Sequence, residues 1–141
     1  MTAVSVMTEP VSDLPQAEVP LTVLVVDDQP DAADAVATLL SMMGHEVRTA
    51  YGPEEAVQVF REFQPRVVLM DLSMPEMSGF EAAAYIRLLP EGTSTTIVAL
   101  TAWGDEAHRR LSREASMDYH IVKPAEPEVL YEVLRKIRLP S

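Results

Sequence analysis

Four apolar runs in this 141-residue sequence stop at residues that can do oxygen or nitrogen chemistry. TVLVV leads into Asp27-Asp28, VVLM into Asp71, TIVAL into Thr101 and HIV into Lys123-Pro124. Three carboxylates brought to one place repel each other unless a cation joins them. The sequence has no cysteine and no His pair at ligand spacing, so the expected cation is a hard one held by oxygen. Mg²⁺, or Mn²⁺ in its place, suits one or two carboxylates together with waters and a phosphate. Asp28 and Asp71 are expected as direct ligands and Asp27 as a direct or water-bridged one, with the Ser73 backbone carbonyl completing the set. Lys123 adds a point positive charge suited to phosphate, and Thr101 adds a rotatable hydroxyl donor. A carboxylate beside such a cation and a lysine can attack phosphorus and form an acyl phosphate. Each residue also has a plainer reading: Asp27 or Asp28 as a helix cap, Thr101 as a strand end, Lys123 as a solvated cation. Their shared placement at strand ends is what favours a site.

That placement rests on the elements between them. The strand-like runs are 22–27, 46–50, 66–71, 96–101 and 118–122. Helical spacing fills the intervals. Val36, Leu39, Leu40 and Met43 mark a helix over 30–43, and Ala56, Val57, Phe60 and Phe63 mark one opened by Pro53 and closed before Pro65. Phe80, Ala83, Ala84, Ile86 and Arg87 indicate a helix over 80–89. A weakly apolar helix is expected over 105–116, with Ala107, Leu111 and Ala115 inward. Val129, Leu130, Val133, Leu134 and Ile137 predict the last, over 126–138. Apolar strands alternating with helices predict an α/β fold with a five-stranded parallel sheet, doubly wound and covered on both faces. All strand ends then share one rim, where such folds bind ligands, and Asp71 on the central strand is the expected nucleophile.

Composition narrows the function. The 22 acidic and 11 basic residues give a net charge of −11, which disfavours a nucleic-acid phosphate backbone as a partner. The densest basic spot, His108-Arg109-Arg110 with Arg113, reads as a solvated helix face or as a docking patch for an acidic protein. No apolar run has the ~18 residues of a membrane helix, and the N-terminus lacks the basic start of a secretory signal. The absence of cysteine fits a cytoplasmic protein. Residues 1–20 carry three prolines, three acids and no Lys or Arg, and read as a mobile extension ahead of one domain over 21–141.

The segments LVVDDQPD (24–31), VVLMDLSMPEMSGFE (67–81), IVALTA (97–102) and DYHIVKP (118–124) together resemble the receiver domains of two-component response regulators, of the chemotaxis type. The resemblance spans about residues 21–138. It implies a flavodoxin-like strand order 2-1-3-4-5 and a phosphohistidine donor on a histidine kinase or histidine phosphotransfer protein. It implies that Asp71 accepts the phosphoryl group, that Asp27 and Asp28 hold Mg²⁺, and that Thr101 and Lys123 contact the phosphoryl group. It also implies a cis Lys123-Pro124 peptide. The usual aromatic switch position is His120 here, with Tyr119 beside it, and Ala125 stands where a large apolar residue is common. Ala102, Trp103 and Pro124 flank the expected site, and a bulky Trp103 predicts slow loss of phosphate. The last helices and last strand are the expected face for a downstream protein or a homodimer. A Mg-dependent phosphatase with an Asp nucleophile would need an acid two residues on for general acid–base work, and Ser73 stands there. The initial Met and the tail favour a stand-alone receiver over a piece of a hybrid histidine kinase.

Overall fold

The computed structural model describes residues 14–72, 78–102 and 117–137. Strands β1 (Thr22–Val26), β2 (Glu46–Ala50), β3 (Val67–Asp71), β4 (Thr96–Thr101) and β5 (Tyr119–Val122) alternate with helices α1 (Pro30–Met42), α2 (Pro53–Phe63) and α3 (Ser78–Leu88). A 3₁₀ turn, Pro90–Thr93, follows α3, and α4 (Pro127–Ile137) follows β5. The five strands form one parallel sheet in the order β2-β1-β3-β4-β5. This is the α/β architecture and the strand order expected from the sequence. The helix expected over 105–116 and the basic spot within it lie outside the described residues.

Strand β3 sits at the centre, and all its residues are buried. Alternate side chains serve opposite faces of the sheet. Val23, Val25, Leu69, Val98, Leu100 and Ile121 pack with α1 and α4. Leu24, Val26, Val68, Met70, Ile97 and Ala99 pack with α2 and α3. Pro30 and Pro53 open α1 and α2, where proline gives up no helical hydrogen bond. Gln64, in the left-handed region at φ 51°, ends α2.

Some expected inward positions differ. Val129 is 40% exposed, while Leu130, Leu134 and Ile137 are buried. Ala84 is exposed and Ala82 is buried instead, a rotation of α3 that a run of three alanines does not encode. Of the extension expected over 1–20, only residues 14–20 are among those described. Residues 14–20 lie against the fold: the Ala17 amide donates to Met43 O at 2.9 Å and Gln16 Nε2 donates to Met42 O at 3.0 Å. Both acceptors stand at the end of α1, where helical carbonyls lack partners of their own.

Arg87 ties the opposite end of the sheet together. Its Nη1 donates to Gly92 O at 2.7 Å and Thr95 O at 2.6 Å, and its Nη2 to Asp118 Oδ2 at 2.6 Å. The same Asp118 oxygen accepts from the Ile97 amide at 2.9 Å. One guanidinium therefore joins the end of α3, the 3₁₀ turn, the start of β4 and the lead-in to β5. Arg87→Met leaves two carbonyls and a carboxylate short of a donor and is expected to cost about 2–3 kcal/mol in urea unfolding. Arg87→Lys recovers less than half of that, because one ammonium cannot reach acceptors arranged for a planar fork.

Candidate functional site

The carboxyl ends of β1, β3, β4 and β5 converge, and backbone hydrogen bonds extend the strand ladders beyond three of these ends. The Asp27 amide donates to Ala50 O at 3.1 Å, the Leu72 amide to Leu100 O at 2.8 Å, and the Lys123 amide to Thr101 O at 2.7 Å. Asp27, Asp71 and Lys123 thus inherit the rigidity of the sheet rather than the freedom of a loop.

Asp27, Asp28 and Asp71 can each offer one oxygen within 4.8 Å of the others. Asp71 is 2% exposed and Asp27 5%, whereas Asp28 faces solvent. Lys123 reaches in from β5, its Nζ 3.0 Å from Asp71 Oδ1 and 3.8 Å from Asp27 Oδ2. Burial lifts the Asp27 carboxyl above its ordinary pKa, and the Asp71 charge beside it pushes the same way. The Gln29 amide, 3.0 Å from Asp27 Oδ1, and the Lys123 ammonium oppose that rise. Crowded carboxylates of which one is exposed, in a chain without cysteine, fit a hard divalent cation such as Mg²⁺.

Thr101 ends β4 with no exposed surface. The register pairs Asp71 with Leu100 and Thr101 with Val122, so Thr101 lies one step past the Asp71 row. His120 pairs with Ala99 and therefore shares Thr101's face of the sheet. Tyr119 packs on the other face, in the cluster of Ile121 and Leu134. It cannot take the place of His120, for the alternation reason expected from the sequence. Ala102 is exposed beside the site, and the Lys123-Pro124 peptide is cis. Ser73 and Trp103 lie outside the described residues.

One residue whose role sequence reasoning missed is Gly79, in the first turn of α3. A Cβ placed there would stand 2.5 Å from the Asp71 carbonyl oxygen and 3.1 Å from Leu72 Cδ2. The missing side chain lets α3 start hard against the end of β3. Its position eight residues after Asp71 is visible in the sequence, but the close approach is not.

The response regulator receiver domain profile matches residues 23–135. The chain belongs to the response regulator receiver family. It is 36% identical over 115 residues to the probable transcriptional regulator ycf27 of Guillardia theta, covering 82% of this chain and 44% of that protein, so this receiver spans under half of that relative. Among solved structures it resembles the chemotaxis protein CheY4 of Vibrio cholerae, with TM-score 0.79 and 28% identity over 84% of this chain and 99% of that one. It also resembles the receiver domain of the sensor histidine kinase PA1611 of Pseudomonas aeruginosa, with TM-score 0.75, 25% identity and coverage of 84% and 97%. That receiver holds a magnesium ion in its active-site cleft. Among the described residues of the present chain, no helix is long and apolar enough to cross a membrane.

Because burial works against the charged form of Asp27, the receiver site holds a destabilising group. Asp27→Asn keeps an oxygen for the Gln29 amide but removes the charge. It is expected to raise the metal-free melting temperature by roughly 3–5 °C, the equivalent of about 1 kcal/mol. The same variant should bind Mg²⁺ roughly tenfold more weakly or worse by calorimetric titration.

Proposed function

We propose that this receiver accepts a phosphoryl group on Asp71 from a phosphohistidine of a histidine kinase or phosphotransfer protein. The observation that carries the reading is the buried Asp71 carboxylate held 3.0 Å from the Lys123 ammonium, inside a group of three acids. A carboxylate oxygen of Asp71 attacks phosphorus. A P–O bond forms as the P–N bond to the donor imidazole breaks, and the nitrogen keeps the electron pair. Asp27, Asp28, Asp71 and the Ser73 carbonyl would hold Mg²⁺, or Mn²⁺, which when bound offsets charge on the phosphoryl oxygens. Lys123 neutralises a second part of that charge and lies in reach of Asp71 without further movement of the sheet. Thr101 donates its hydroxyl to the modified Asp71.

The switch follows from the same rim. When Thr101 turns toward the phosphoryl group, space opens on its face of the sheet, and His120 lies on that face. Rearrangement there alters the surface of β5 and the last helices, where a downstream protein or a second copy would bind. The likeness to the PA1611 receiver favours a second setting for the same chemistry, as one segment of a larger histidine kinase. Both settings place the domain in the cytoplasm.

Intact-mass spectrometry with acetyl phosphate and Mg²⁺ tests the reading, with a phosphohistidine donor as the second arm. One added phosphoryl group is expected, dependent on Mg²⁺ and absent in Asp71→Ala. Lys123→Ala should slow its formation by about 10²–10³-fold. Gly79→Ala, which pushes against the Asp71 carbonyl, should slow it by roughly 10–100-fold with Mg²⁺ affinity less affected. An adduct that survives in Asp71→Ala, or none with either donor, rejects the assignment.

A further inference from the structure

His45 lies far from the phosphoryl chemistry, at the opposite end of the sheet, yet it is one of the few buried polar residues among those described. It follows the αL turn at Gly44 (φ 106°), and its side chain is wedged between the segment before β1 and α4. Its Nδ1 accepts a hydrogen bond from the Leu21 amide at 3.0 Å. That bond requires a neutral ring with the proton on Nε2. Residues 14–20 continue from it across the end of α1, through Gln16 and Ala17 to the carbonyls of Met42 and Met43. Ala17 and Val19 then wall a small cavity with His45, Tyr131 and Leu134, which brings the segment onto α4.

We propose that residues 14–20 form a proton-sensitive strap, latched over the ends of α1 and α4 by neutral His45 and released when His45 is protonated. A protonated ring carries N–H on both nitrogens, so Nδ1–H would face the Leu21 N–H and the acceptor would be gone. The Leu21 carbonyl still accepts from the Glu46 amide at 3.0 Å, so β1 stays in the sheet while the strap ahead of it loses its hold at the Leu21 end and keeps only the Gln16 and Ala17 bonds to the end of α1. Among the described residues, the charged groups around His45 are Glu18 on the strap, Arg135 on α4 and Glu46 next in the chain, with the Tyr131 phenol also on α4. Glu18 and Glu46 favour the imidazolium and Arg135 disfavours it, and Arg135 is itself paired with Glu132 at 3.0 Å. Burial shifts the balance toward the neutral ring, below the ordinary value of 6.5.

With the strap open, His45 titrates near its ordinary value; with it closed, lower. The latch is therefore complete above pH 6.5 and weakens as pH falls below it. Between the two values the open fraction grows about tenfold per pH unit. Release would uncover Tyr131, Leu134 and the end of α1, a surface distinct from the phosphoryl rim.

The test is an NMR titration of the full chain from pH 7.5 to 4.5, following the His45 ring nitrogens, the Leu21 and Ala17 amides, and the ¹⁵N relaxation of residues 15–19. The expected result is one shared midpoint below 6.5, with loss of amide protection and faster strap motion on the acid side. His45→Asn, whose side-chain oxygen can stand in for Nδ1, should keep the strap closed throughout. Glu18→Gln should leave the transition in place. A strap that stays closed while His45 titrates overturns the proposal. So does an acid transition that persists in His45→Asn, or one that disappears in Glu18→Gln while His45 still titrates.

Discussion

The contact on which the site depends is the ammonium of Lys123 lying between two buried carboxylates. Like charges 4–5 Å apart repel by roughly 3–4 kcal/mol even at an effective dielectric constant near 20. Three acids meet at this rim, and among the described residues Lys123 is the cation paired with them, so negative charge outweighs it there. The fold tolerates that excess because Asp28 remains in solvent and the Gln29 amide supports Asp27. The same excess makes the rim attractive to a doubly charged ion. Metal affinity and local destabilisation are thus two consequences of one charge arrangement.

Everything else at this end of the molecule keeps those charges from moving apart. A loop could relieve the repulsion by bending away, but a strand end cannot. Asp27, Leu72 and Lys123 are pinned through their amides to Ala50, Leu100 and Thr101 on the neighbouring strands. Apolar side chains pack both faces of β3, so the central strand cannot twist Asp71 out of the group. Gly79 allows α3 to close over the end of that strand. The sheet thus acts as the frame that holds an unfavourable electrostatic group in one geometry, and stability elsewhere offsets its cost.

The opposite end of the fold is held by polar contacts of a different kind. Arg87 gathers four chain segments through one guanidinium, and His45 and the strap satisfy backbone groups at the end of α1 and the start of β1. These contacts satisfy rather than accumulate charge. The Arg87–Asp118 pair fixes the lead-in to β5, the strand that carries Lys123 to the rim.

The sequence by itself determined the order of the described elements, the parallel sheet and the residues that gather at its rim. Strand-length apolar runs and 3.6-residue stripes are local signals, and a parallel sheet sends every strand's carboxyl end the same way. Asp27, Asp28, Asp71 and Lys123 needed only that rule to be placed together. The side chosen by a stripe was less legible: Val129 and Ala84 turn outward because α4 and α3 roll to fit neighbours that no local window contains. The roles of Gly79, Arg87 and His45 were decided by tertiary structure alone. Each acts on a backbone group distant in sequence or in another element, the Asp71 carbonyl, the Gly92 and Thr95 carbonyls, the Leu21 amide, and backbone groups carry no mark in the sequence. The segment 14–20 shows the same limit. Its two prolines and one acid read as part of an extension, but what holds it are carbonyls at a helix end without helical partners, and those exist only once the helix has formed.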